Sequence, residues 1–219
     1  MPVEKPLTIY GAAGSGSVPV EAALSLIGLP YEVIESAPWE GPIARARLAK
    51  VNPAGQIPAL ITPQGELITE SAAMLIWLTD RHPQAGLAPG PADPARGAFL
   101  RWMTFVSAAI YGLYWIRDNP SRVVTDKAQE AVVLERTRER IEACWAMMEA
   151  QVSPGAYLLG EQLSVLDLYV ATASRWGPRR KRFYAVAPRM AEVVRRVDAD
   201  PRLTQFWAQR FAFEEGWEG

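Results

Sequence analysis

Residues 82–95, HPQAGLAPGPADPA, constrain the fold more than any other stretch of the chain. Pro83, Pro89, Pro91 and Pro94 remove backbone donors, Gly86 and Gly90 loosen the chain, and little apolar content remains to bury. No long helix or strand can run through such a stretch, so it is read as a linker. It divides regions of different pattern. Strand and helix signals alternate before it, and after it the signals are helical throughout, over 94–117, 125–150, 164–176, 188–198 and 201–213. A chain of 219 residues with 49% hydrophobic composition can fill such cores without disulfide or metal staples.

In the first region, LTIY (7–10) reads as a short buried strand. VPVEAALSLIGLP (18–30) has helical apolar spacing, with Pro19 in the first turn and Gly28 at the stop, and YEVIE (31–35) alternates as a strand. Together they make a β-α-β unit with parallel strands. After the helical piece IARARLAKV, the runs PALI and ELIT flank TPQG, a turn that suits an antiparallel hairpin, and SAAMLIWLTDRH follows as an amphipathic helix. The expected division is residues 1–82, a linker at 83–94, and an all-helical domain at 95–219.

Composition removes several functions. The net charge is −1 and there is no long basic run, so a nucleic-acid partner is not expected. The short run RWGPRRKRF (175–183) reads as a solvated helix end or loop. Cys144 is the single cysteine and His82 the single histidine, which leaves no disulfide framework, no multi-cysteine metal site and no histidine-based metal set. The start MPVEKPLTIY lacks the apolar core of a secretion signal and no 18-residue apolar run occurs, so a cytoplasmic protein without a membrane span is expected.

Three stretches carry candidate chemistry. In QIPALI, Pro58 stands at a strand start, where it marks an edge, a bulge or a cis bond. A cis bond there would turn the preceding N–H and C=O outward, ready to pair with an extended peptide. In TESAAM, Glu70 and Ser71 precede an apolar helical run, so the first turn offers N–H groups to a carboxylate, with Glu70 for an ammonium group; helix capping is the plainer reading. In GAAGSGSVPV (11–20), glycines turn the chain into a helix start whose N–H groups suit an anion. The stretch lacks the lysine of a phosphate-binding loop and does not match GxGxxG, and Ser17 fits as the cap of the helix that begins beside Pro19.

Taken in order, IYGAAGSGSVPVEAALSLIGLPYE, VNPAGQIPAL, LITESAAMLIWL and YLLGEQLSVLDLYVA resemble the glutathione S-transferase superfamily over most of the chain. The resemblance implies an α/β thioredoxin-like N-terminal domain followed by an all-α C-terminal domain. It implies glutathione as co-substrate, its cysteinyl backbone beside cis-Pro58 with Ile57 supplying the N–H and C=O, and its γ-glutamyl end held at Gln56, Glu70 and Ser71. Trp39 and Lys50 are available to the glycyl end. Among the serine-type members, the donor position falls on Ser15, with Ser17 as second choice and Tyr10 as the tyrosine-type alternative. Pro19 stands where many members carry arginine, a departure from the pattern. Ser15 would donate a hydrogen bond to the thiolate, which attacks a hydrophobic electrophile.

The resemblance further implies a homodimer, and detoxification as the usual role of such conjugation. A glutathione-dependent isomerase or dehalogenase, and a non-catalytic glutathione-binding protein on the same scaffold, are the alternatives. The aromatic-rich helix FLRWMTFVSAAIYGLYWIRDNP offers Tyr111, Tyr114 and Trp115, with Trp176, as walls of an apolar pocket or as core residues. In LSVLDLYV, Ser164 and Asp167 read as a capping box that serves folding.

Overall fold

A computed structural model describes residues 6–214 and 217. It divides into compact units, one taking the residues up to Ala88 together with those from Asp198 onward, the other running Pro89–Val197. The C-terminal segment thus belongs with the first unit, although it follows the helical region in sequence.

The first unit is built on a four-stranded sheet in the order β2-β1-β3-β4. Strand β1 (Leu7–Gly11) pairs in parallel with β2 (Tyr31–Glu35) through the crossover helix α1 (Val18–Ile27), as the β-α-β pattern requires. Helix α2 (Pro42–Leu48) leads toward β3 (Ala59–Ile61), which pairs antiparallel with both β1 and β4 (Leu67–Ile68). The turn between β3 and β4 closes with Gly65 N–H on the Thr62 carbonyl at 2.8 Å. Helix α3 (Ser71–Arg81) packs against α1. Ile9 and Leu60 from the sheet, Leu24 from α1, and Met74, Leu75 and Leu78 from α3 are fully buried. Each such side chain contributes about 1.5–3 kcal/mol.

In the second unit, α4 (Arg96–Phe105) and α5 (Gly112–Asp118) are joined by a π-helical segment, Val106–Tyr111, where one continuous helix was expected. The wider turn shifts the facing of the residues beyond it. Helix α6 (Lys127–Gln151) packs against α5 and against α8 (Lys181–Val186), and α7 (Val165–Arg175) against α4. Helix α9 (Pro188–Asp198) completes this unit, and α10 (Thr204–Arg210) lies in the first. Helix α8 was not anticipated, and the basic run before it is not wholly solvated: Arg180, at φ 50, turns inward. It is fully buried, its Nε donating to Ser174 Oγ at 2.9 Å and its Nη2 to the Ala171 carbonyl at 2.8 Å. No helix among the described residues is long and apolar enough to cross a membrane.

Candidate active site

Sheet register brings the separate motifs to one end of the first unit. Tyr10 pairs with Ala59 and Leu60 with Ile68. Continued past the last pairs, these registers set Gly11 and Glu70 on either side of Pro58. At about 4.8 Å between strands, Gly11 and Glu70 stand about 10 Å apart. That is the length of about three extended residues.

The middle of this span is the cis peptide Ile57–Pro58. The Ile57 N–H and C=O take no partner among the described residues. Buried Asn52 shapes the approach, its Nδ2 donating to the Gln56 carbonyl at 2.7 Å and its Oδ1 accepting from Ala54 N–H at 3.1 Å. Sequence reading passed over Asn52; its signal was an Asn-Pro turn beside a proline-led strand.

At one end of the span, Glu70 adopts φ 64, ψ 104, a sparsely populated region for a residue with a side chain. Such a conformation costs on the order of 1–3 kcal/mol and leaves the carboxylate exposed in place of folding it back as a cap. Glu70 makes no side-chain cap to α3, while its carbonyl accepts from Met74 N–H at 2.9 Å. Ser71 is buried in the first turn of α3, where backbone N–H groups and the helix dipole favour an anion. Gln56 is exposed near this span, and Trp39 and Lys50 are exposed on the stretch between β2 and β3. Tyr10 is half-buried in β1.

At the other end, the loop after β1 holds Ser15 and Ser17 with their Oγ atoms 3.0 Å apart. Gly11 is required there, since a Cβ would stand 2.3 Å from Ser17 Oγ. Counting hydrogens assigns the donors. Ser17 Oγ lies 2.5 Å from Glu21 Oε1, and an ionised carboxylate only accepts, so the Ser17 proton goes to Glu21. Ser17 then accepts from its neighbours: Ala12 N–H at 3.2 Å, and the Ser15 hydroxyl. Ser15 Oγ accepts from Ser17 N–H at 3.2 Å and shares the Ala12 N–H at 3.3 Å, and its own proton, given to the neutral Ser17 Oγ, is the one hydroxyl proton of the pair not held by a carboxylate. Ser17 and Glu21 are 0% exposed, whereas Ser15 is 8% exposed.

The cap reading of Ser17 is corrected by this geometry. Ser17 is in the helical region at φ −77, ψ −26, where a cap residue is normally extended, and its side chain makes no cap bond; its hydroxyl donates to Glu21 instead. Glu21 is in turn held by Arg210 from the C-terminal segment, Nε to Oε2 at 2.5 Å, and Arg210 also reaches Glu35. The Arg210 carbonyl accepts from Gly14 N–H at 2.7 Å, with Gly14 at φ 70 turning the loop. Neither Glu21 nor Arg210 was singled out from sequence. The available signal was an acid among the apolar residues of α1.

In the second unit, Tyr111 stacks on Tyr169 at 5.7 Å between centroids, and Trp176 meets the edges of Tyr111 at 4.8 Å and Tyr114 at 5.0 Å. Burial pushes the Tyr114 phenol up to about 12, so it stays protonated. Trp115 is not part of this cluster: it is 45% exposed, with the Arg122 guanidinium 4.7 Å over its ring. Cys144 is buried, its thiol pushed up by burial and bonded to the Ala109 carbonyl at 3.4 Å, a poor nucleophile.

Residues 15–81 match the family described as glutathione S-transferase, N-terminal domain. That stretch, from the loop after β1 through α3, is similar to the N-terminal domain of the glutathione S-transferases. A GST-like protein of Escherichia coli K12, YncG, is 28% identical over 200 residues, 91% of this chain and 96% of that protein. A glutathione S-transferase of Xanthomonas campestris is 26% identical over 78% of this chain and 82% of its own length. The fold is shared with a crystal structure of a glutathione transferase homolog from Sulfitobacter with bound glutathione, at TM-score 0.82 and 24% identity over 92% of this chain and 96% of that one.

Proposed function

We propose that this chain is a glutathione transferase that binds the tripeptide along the end of its sheet and activates the thiol through Ser15. The observation that carries the reading is the sheet register, which sets the loop after β1, Pro58 and the start of α3 side by side over about the length of a tripeptide. These supply the N–H groups at the start of α3 with Glu70 for the γ-glutamyl carboxylate and ammonium, the Ile57 backbone for the cysteinyl unit, and the Ser15 hydroxyl beyond it. Gln56 adds to the γ-glutamyl end, and Trp39 and Lys50 serve the glycyl end. Glutathione in the related Sulfitobacter structure supports the same ligand.

A free thiol titrates near ~8.5, so only a few per cent is thiolate at neutral pH. Ser15 donates to the sulfur and stabilises the anion over the thiol. The thiolate forms a bond to an electrophilic carbon, whose leaving group departs with the bonding pair, and the displaced thiol proton passes to water. Tyr111, Tyr114 and Trp176 supply apolar wall for a hydrophobic electrophile, with Trp115 outside that cluster. The homodimer, the cytoplasmic location and the detoxification role belong to the same reading. A relative named as a probable maleylacetoacetate isomerase of Caenorhabditis elegans, 24% identical over 76% of this chain, favours glutathione-dependent isomerisation as the second reading, since the same thiolate serves it.

Ser15→Ala removes the donor and is expected to lower kcat with a chlorinated aromatic substrate by about 10²-fold, the scale for losing one preorganised donor. Glutathione affinity by calorimetry stays within a few-fold. Unchanged kcat removes Ser15 from the mechanism, and a wild-type chain that binds no glutathione at millimolar concentration removes the whole reading. A panel of electrophiles that adds a cis-diene acid separates transferase from isomerase.

A further inference from the structure

The chemistry assigned to Ser15 needs an anion beside a loop that already holds one. Glu21 is fully buried in the first turn of α1, where its carboxylate faces the positive end of the helix. It reaches the thiol loop through Ser17 Oγ at 2.5 Å, and Ser15 Oγ is 3.0 Å further on. With one more hydrogen bond to the sulfur, a thiolate stands about 8 Å from Glu21, close enough for like charges in a poorly solvated site to shift a titration by about one pH unit. Left alone, Glu21 would cancel what the helix start and Ser15 give the thiolate.

Arg210 meets that carboxylate with both arms of its guanidinium, Nε to Oε2 at 2.5 Å and Nη2 to Oε1 at 3.2 Å. It is itself largely buried and fixed from behind by its own carbonyl on Gly14 N–H at 2.7 Å. The other charged and titratable groups around the loop are Glu35 and Tyr31 on β2, Tyr10 on β1 and Glu70 at the start of α3. Glu35 is mostly exposed, so solvent screens much of its charge, although it too binds Arg210. Tyr31 reports the same field, its phenol pushed up by burial and by Glu21 and pulled down by Arg210.

We propose that Arg210 is a positioning residue for the thiol reaction: by neutralising buried Glu21 it keeps the loop receptive to a thiolate and sets the acidity of glutathione bound at Ser15. The proposal rests on the assignment of Ser15 as the thiolate donor. It differs from a structural role in the sign of its effects. Arg210→Gln leaves the Glu21 charge uncompensated and disfavours the thiolate. Glu21→Gln keeps an acceptor for Ser17 but leaves the Arg210 charge, which favours the thiolate.

The test titrates the thiol of bound glutathione by the ultraviolet absorbance of its thiolate in the full-length chain, with affinity measured alongside by calorimetry. Arg210→Gln is expected to move the midpoint up by about one pH unit and Glu21→Gln to move it down by about the same. The double variant returns near the wild-type value, and Arg210→Lys stays near it. If Arg210→Gln does not fold, the downward shift of Glu21→Gln and the unchanged midpoint of Arg210→Lys decide the matter. Single variants that bind glutathione and shift the same way, or not at all, overturn the role of Arg210 and leave that of Ser15 standing. A wild-type chain that binds no glutathione overturns both.

Discussion

At the start of α7, Asp167 takes its bonds from within nine residues: Leu158 N–H at 2.8 Å, Ser164 N–H at 2.7 Å and the Ser164 hydroxyl at 2.7 Å. At the start of α1, Glu21 also holds a serine hydroxyl, but the rest of its bonding comes from Arg210, 189 residues away. Both acids are fully buried. The first pair is a capping box closed by the local backbone; the second closes only through a cation from the far end of the chain. A serine and an acid at a helix start therefore carry opposite meanings. Where local N–H groups satisfy the acid, the pair is architecture, and where a remote cation must do so, the serine is held for something other than capping.

The largest effect expected from this contrast is on stability. Asp167→Ala strands the buried Leu158 and Ser164 donors, at about 1–3 kcal/mol for each orphaned group. A loss of about 3–5 kcal/mol in urea unfolding is expected with glutathione affinity unchanged. A loss of affinity would show that the two helix starts are not functionally separate.

The next effect is on pH dependence. Burial pushes the Asp167 carboxyl up to about 6 against the three donors that favour its anion. The folded form then holds its proton more tightly than the unfolded chain. The stability it contributes is full below about pH 4, falls as pH rises, and is lost above about 6. The fall is on the order of 3 kcal/mol across that window. Asp167→Asn removes this slope, read as the pH dependence of the difference in unfolding free energy between the two proteins. A slope that survives in Asp167→Asn belongs to another group.

A smaller effect is expected at α1. Gly11→Ala drives a Cβ against Ser17 Oγ and displaces the serine pair, at about 1–3 kcal/mol for overpacking in a filled interior. Here turnover falls together with thermal stability. If stability falls while turnover holds, the geometry of Ser17 plays no part in the proposed reaction.

Much of this was legible because it is written locally. The β-α-β unit, the proline at the start of β3 and the acid-serine pair before α3 each depend on neighbouring residues whose turn and capping chemistry points one way. The fold class followed from the order of these signals, and the family match supports it. What stayed hidden depends on distance or on backbone detail. Arg210 lies in an ordinary helical pattern, and nothing in its own surroundings names Glu21. Arg180 sits in a basic run that reads as solvated, yet a left-handed turn aims it into the second unit. The π-helical segment leaves no mark in apolar spacing, so Trp115 was grouped with Tyr111 and Tyr114 although it faces Arg122.

The bond between Arg210 and Glu21 also bears on how the chain is made. At roughly 5–20 residues per second, Glu21 leaves the ribosome about 10–40 s before its partner. Through that interval the first strands and helices exist without the cation that one of their buried carboxylates requires, so the loop after β1 can assemble its backbone but not its final electrostatics. Completion of the first unit then waits on the last part of synthesis, and a chain interrupted before Arg210 carries a buried, uncompensated charge beside Ser15 and Ser17.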